Sequence, residues 1–292
     1  MSMEFGVHFV NTVYPQPGRA ATFCQAAERF GFTFAVTVEH VVWPTEYTSK
    51  YPYSPTGRLP GDPSTLLPDP LVWMTHAAAC TKTLRFMTGV LVLPQRNPVV
   101  LAKQLATMDY MSGGRMELGI GVGWLEEEFE GIGVPFAKRG KRSDEYIAAM
   151  RALWATDDAS YDGEFANFKG MSCNPKPIQS PMPIVVGGNT QVAARRAGRL
   201  GNGYFPATGW SGDLAPLLAT VRAEAEKAGR DANQIQITTG LDADDPVGSA
   251  LRMAELGVSR VVVPSAQFRK DIDGGLERYA AEVIAPVQER LG

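Results

Sequence analysis

Eight short apolar runs, each followed by a stretch of helical periodicity, pace the chain from end to end. That alternation is the signature of βα units around a parallel sheet. The runs are EFGVHFV (4–10), FTFAVTVEH (32–40), LRFMTGVLVLP (84–94), RMELGIGVG (115–123), MPIVVGG (182–188), GYFPA (203–207), IQITTGL (235–241) and SRVVVPSA (259–266). The stretches between them, such as GRAATFCQAAERFG, repeat apolar residues at three- and four-residue spacing and stop at glycine, which ends a helix cheaply in the left-handed conformation. Eight such units in 292 residues, somewhat more than the ~250 typical of the fold, predict a single (β/α)8 TIM barrel spanning 1–292. A doubly wound open sheet is the second choice. The surplus length falls in 41–69, after the second strand, and in 157–181, before the fifth, where a short hairpin with a proline-rich exit is expected.

The composition narrows the function. Apolar residues make up 45% and charged residues 20%, a folded balance. A net charge of -3 with no lysine stripe gives no footprint for nucleic acid. No apolar run reaches the ~18 residues a membrane helix needs, and MSMEFGVHFV enters a strand without a signal peptide. Cys24, Cys80 and Cys173 lack CxxC spacing and are expected to be reduced, mostly buried thiols. The expectation is a cytoplasmic protein that acts on a small-molecule substrate, with neither nucleic acid nor membrane as partner.

A barrel of this kind places its active site where the strands end. Those ends deliver Asn11 and Thr12, Glu39 and His40, Pro94, Gly123 and Trp124, Gly187 to Thr190, and Ser265. Only three histidines exist, His8, His40 and His76, and no ligand cluster surrounds them, so no metal is expected. There is no strand-end lysine for Schiff-base chemistry and no GxSxG elbow. Glycines, small polar groups, one imidazole and aromatics suit a large flat cofactor better than covalent attack. Glu39 and His40 are the candidate catalytic pair. His8 either points into the barrel or is a satisfied core histidine, and His76 is structural. Gly119, Gly121 and Gly123 lie on one face of the fourth strand, open either to a planar ring or to a neighbouring backbone. Gly187, Gly188, Asn189 and Thr190 open a helix, as a phosphate seat or as an ordinary capped turn. Arg195, Arg196 and Arg199 further along are expected on a solvated face.

The blocks VEHVVWP, TGVLVLPQRNPVVLAKQLATMDYMSGGRMELGIGVGW and VVGGNTQVAARRAGRLGNGYFP resemble the bacterial luciferase-like superfamily, specifically its coenzyme F420-dependent oxidoreductase branch. The resemblance covers essentially the whole chain. It implies a TIM barrel holding F420, or alternatively FMN, at the strand ends, and a homodimer. It further implies a non-prolyl cis peptide between Gly89 and Val90, with Thr88, Gly89 and Val90 behind the cofactor ring. Gly121, Gly123 and the polar Glu127 would be cofactor contacts, Gly187 to Thr190 would hold a phosphate, and His40 would lie beside the reactive ring carbon. Sugar-phosphate dehydrogenases of the family carry a glutamate where this chain has Trp124, which removes that general acid. Trp124 with Asn11, Trp43, Tyr51 and Tyr53 points to a more apolar substrate pocket. The implied function is hydride transfer between F420 and an organic substrate. The alternatives are an FMN-dependent monooxygenase, a non-catalytic flavin-binding barrel and a phosphate-binding lyase.

Overall fold

The computed structural model describes residues 2–206 and 213–292. Eight parallel strand positions close into one barrel: β1 (Glu4–His8), β2 (Phe34–Thr37), β3 (Arg85–Thr88) continued after a break by β4 (Leu91–Val92), β5 (Met116–Gly121), β8 (Ile184–Gly187), β9 (Gly203–Phe205), β10 (Gln236–Gly240) and β11 (Arg260–Pro264). Closure runs through β1, which pairs with β2 at Gly6↔Phe34 and with β11 at Gly6↔Val262, while β5 meets both halves of the broken third strand. All eight expected strands are present, each shorter than its apolar run; Ala207, expected at the end of the sixth, lies outside the described residues. The hairpin before the fifth barrel strand is β6 (Ala159–Asp162) against β7 (Asn167–Met171), antiparallel.

Helix starts follow local chemistry. α3 (Pro70–Ala79) and α4 (Pro98–Ser112) each have proline at the first position, where no N–H is needed, and a capping carboxylate or amide before it. Asp69 accepts from the N–H groups of Leu71 and Val72, and Asn97 from those of Val99 and Val100. α4 ends at Gly113, whose φ of 74° is the left-handed stop. His76 lies in α3 and bonds the Pro17 carbonyl at 3.0 Å.

Strand alternation splits the core in two. Outward residues such as Phe5, Val7, Phe86, Leu118 and Val261 pack under the helices. Inward residues Phe34, Val36, Met87, Val185, Phe205 and Val262 fill the barrel. Below them lies a charged layer. Arg260, with no exposed surface, meets Glu117 at 2.6 Å and lies 4.1 Å from the centre of the Phe34 ring; Arg85 completes the group with Glu4 and Glu117. An apolar plug between this layer and the far rim confines polar chemistry to the C-terminal mouth. Cys24, Cys80 and Cys173 are free thiols, and no helix among the described residues is long and apolar enough to cross a membrane.

Candidate active site

At the mouth, β1 ends at His8, two residues before its apolar run does, because Phe9 turns the chain at φ 63°, ψ 26° into the short helix α1 (Val10–Val13). A bulky residue held there costs of order 1–3 kcal/mol and must be fixed by its surroundings. Asn11, expected in the substrate pocket, is fully buried: its amide donates to the carbonyls of Val38 and Pro68, and its oxygen accepts from the Val38 N–H. It clamps the ends of the long loop 41–69 and is not a pocket wall. Thr12 is spent locally on the Phe9 carbonyl.

The break in the third strand is the feature the resemblance implied, since the Gly89–Val90 peptide is cis. The alternate glycines turn out to be its socket. A Cβ on Gly119 would lie 1.7 Å from the Thr88 carbonyl oxygen, one on Gly121 would lie 2.6 Å from Val90 Cγ2, and one on Gly187 would lie 2.4 Å from Val90 Cγ1. The close-approach reading of these glycines is therefore satisfied by the protein's own chain. Thr88 has 1% exposure and donates to the Gly119 carbonyl at 2.6 Å, so its hydroxyl is committed. Gly123, at φ 82°, is crowded by Phe129 and Val92.

Glu39 and His40 are adjacent in sequence but have separate partners. Glu39 is buried, accepts from the Val92 N–H at 2.6 Å and pairs with Arg96, which also meets Asp69 at 2.8 Å. It ties β4 to the second strand. His40 Nδ1 sits 3.1 Å from Glu128 Oε2, a carboxylate with 1% exposure. The other oxygen of Glu128 accepts from the N–H groups of Val41 (2.5 Å) and Val42 (3.3 Å). With a carboxylate acceptor at Nδ1, that nitrogen carries a proton, and in the neutral form of the ring Nε2 is the acceptor.

Glu127 performs the matching task further along the loop. Its Oε1 accepts from the Thr48 N–H at 2.6 Å and hydroxyl at 3.1 Å, and from the Ser49 N–H at 3.1 Å. Burial opposes its ionisation, yet the hydrogen bonds from Ser49 and Thr48 outweigh that and hold its pKa down at about 2. Two consecutive carboxylates of α5 (Glu126–Gly131) thus staple the loop over the mouth at two points. The sequence reading missed Glu128. Its signal was spacing: Leu125, Glu128 and Phe129 share one buried face, so only one member of the EEE run points inward.

The loop brings its aromatics together. Trp124 lies 5.9 Å from His40 edge-on, 5.9 Å from Tyr47 and 5.2 Å from Tyr51, while Tyr51 meets Tyr53 at 5.4 Å and Trp43 is 6.1 Å from His40. Burial raises the pKa of both Tyr51 and Tyr53. Trp43, Tyr51, Tyr53 and Trp124, scattered in sequence, form one wall around His40. At the fifth strand end, the Tyr204 hydroxyl donates to the Gly188 carbonyl at 2.8 Å, and Thr190 caps α7 (Gln191–Leu200) by accepting from the Ala193 N–H at 3.1 Å. Arg196 departs from the solvated-face expectation: it is 5% exposed and pairs with Asp144. Its helix packs that face against α6 (Arg139–Ala155).

A closed barrel with a glycine-lined break in its third strand, an aromatic loop stapled by two carboxylates and a histidine held by Glu128 thus meet at one end of the strands. The family model for luciferase-like monooxygenase matches residues 3–243, and the chain belongs to that family. It is 34% identical over 275 residues to an uncharacterised protein of Mycobacterium tuberculosis, covering 90% of this chain and 93% of that one. It is similar to the F420-dependent glucose-6-phosphate dehydrogenase of Gordonia bronchialis, 32% identical over 76% of this chain and 68% of that one. It is also similar to the FMNH2-dependent dimethylsulfone monooxygenase of Pseudomonas putida, 34% identical over 54% of this chain and 45% of that one.

Proposed function

We propose that the protein is an oxidoreductase that passes a hydride between coenzyme F420 and an apolar organic substrate. The observation that carries this reading is the setting of His40, held by Glu128 at 3.1 Å and enclosed by Trp43 and Trp124 at one mouth with the Gly89–Val90 break. The residues fit a flat ring. Gly89, Val90, Gly121, Gly187, Gly188 and Asn189 are all half-buried, with surface left at the mouth, and Gly89 itself could carry no side chain without striking Val36 and Phe205. Gly89 and Val90 would back the ring, and Gly188, Asn189 and the capped start of α7 would hold a phosphate. When bound, the deazaflavin supplies a ring carbon that gives or takes a hydride.

The chain's own residues do the rest. Loop 41–69, fixed by Glu127 and Glu128, excludes water and presses the substrate to near-attack distance. His40 Nε2 accepts or returns a proton as charge develops on the substrate oxygen. The aromatic wall, with Trp124 where the sugar-phosphate enzymes carry glutamate, favours an apolar substrate. Support for F420 over FMN comes from coverage, since the F420-dependent relative aligns with 76% of the chain and the FMNH2-dependent one with 54%.

An FMN-dependent monooxygenase is the second reading, favoured by the family description. Titrating the protein with F420 and with FMN under fluorescence separates the two. Micromolar F420 binding without FMN binding is the expected result, and the reverse assigns the monooxygenase reading. His40→Ala lowers turnover by about 10²–10⁴-fold if the imidazole moves the proton; full turnover in that variant refutes the role.

A further inference from the structure

The sequence reading passed over Phe9, and three independent features single it out. The residue is 41% exposed although it directly follows a barrel strand. Its backbone is held at φ 63°, fixed by its own carbonyl, which accepts from the Thr12 and Val13 N–H groups at 3.2 and 3.1 Å. Bulky residues kept in that region cluster where a side chain must be aimed. Its ring lies face to face on His8, with centroids 3.8 Å apart and planes 17° apart.

The place of His8 fixes the place of Phe9. The His8 imidazole reaches across the top of the barrel: Nε2 donates to the Gly89 carbonyl on the third strand at 3.3 Å, and the ring lies 5.4 Å from Phe205 on β9. Desolvation is the main influence on it, lowering its pKa to about 4 against the opposing Gly89 hydrogen bond, so it is neutral at pH 7. His8 is thus an uncharged plug at the centre of the mouth, tied to the carbonyl of the cis peptide. Phe9, stacked on that plug, keeps 41% of its surface exposed above the barrel's inward residues.

We infer that Phe9 is a specificity-determining residue, an apolar platform on which the hydrocarbon part of the substrate rests. The inference deepens the redox reading above and rests on it for the identity of the site. It assigns the substrate an apolar ring or chain beside its reacting carbon.

The test uses two ketone probes that share a carbonyl and differ in hydrocarbon bulk, cyclohexanone and acetone. Ligand-observed NMR titrations of the full chain, with and without F420, compare wild type with Phe9→Ala and Phe9→Tyr. Phe9→Ala is expected to weaken cyclohexanone binding about three- to tenfold, the range of one aromatic face contact, with acetone and F420 affinities unchanged. Phe9→Tyr keeps the ring face and is expected to restore the wild-type value. Unchanged cyclohexanone affinity in Phe9→Ala, absence of cyclohexanone binding to wild type, or an equal loss of F420 affinity each overturns the inference. If wild type takes neither F420 nor FMN, the redox reading fails, while the cyclohexanone comparison on the cofactor-free chain still decides the role of Phe9.

Discussion

Replacing Glu128 by glutamine changes one atom and tests the central geometry. The carboxylate takes three donors on two oxygens: Val41 N–H and Val42 N–H on one, His40 Nδ1–H on the other. Glutamine has one acceptor oxygen. The backbone N–H groups cannot become acceptors, so the amide oxygen turns to Val41 and Val42 and the NH2 group faces His40. The neutral His40 ring must then accept at Nδ1, which moves its proton to Nε2 and converts the nitrogen proposed to carry the proton from acceptor to donor. Charge-assisted hydrogen bonds contribute ~1.5–3 kcal/mol and neutral ones ~0.5–1.5 kcal/mol, so with the site 1% exposed the exchange destabilises the fold by about 2 kcal/mol. A melting midpoint roughly 3–6 °C lower follows for a chain of this size. The assay is nitrogen-15 NMR of the imidazole, which separates the two tautomers, run beside thermal denaturation and turnover. The expected result is a switched tautomer with turnover down about 10²–10⁴-fold. A His40 that keeps its proton on Nδ1 in Glu128→Gln, or a variant with full turnover, refutes the reasoning.

Three further outcomes are expected. Arg96→Ala leaves Glu39 buried without its cation and lowers stability by about 3–5 kcal/mol in urea unfolding; a loss under ~1 kcal/mol would show that Glu39 is not ion-paired. Glu127 has a depressed folded pKa of about 2, so its contribution is full above the ordinary carboxylate value near 4.5 and is lost as pH falls from there through about 2. Protection of the Thr48 and Ser49 amides against hydrogen exchange, measured as free energy of opening, should hold from pH 7 to 5 and drop below 4.5, whereas a drop already at pH 6 would contradict the assignment. Gly119→Ala, with a Cβ 1.7 Å from a backbone oxygen, should cost at least ~3 kcal/mol or prevent folding; a wild-type melting curve would sink the socket account.

The barrel was readable because strand and helix periods alternate eight times and glycines punctuate them. Strand ends were read too long, since apolar residues persist past the last ladder bond: Val10 and Leu93 are buried outside any strand. That His40 and the aromatics would gather at the strand ends was legible. The partners of Glu39 and His40 were not, because two adjacent side chains at a strand end face different ways and meet residues about fifty to ninety positions distant. Nothing in the local pattern around Glu39 marks Arg96, or around Asn11 marks Pro68, as the group it holds. Phe9 escaped notice because its φ is a property of the folded turn, and phenylalanine gives no sign of it.

The ring of Glu4, Arg85, Glu117 and Arg260 carries a consequence for assembly. These four come from the first, third, fourth and last strand positions of the barrel, and Arg260 pairs in register with Glu4 at the closing seam. If β11 slid by a single position, that guanidinium would be thrown outward among apolar helices and the buried Glu117 would keep only the more distant Arg85. Closure of the barrel needs β11, the last strand in sequence, and this polar lock disfavours a misaligned completion of the circle.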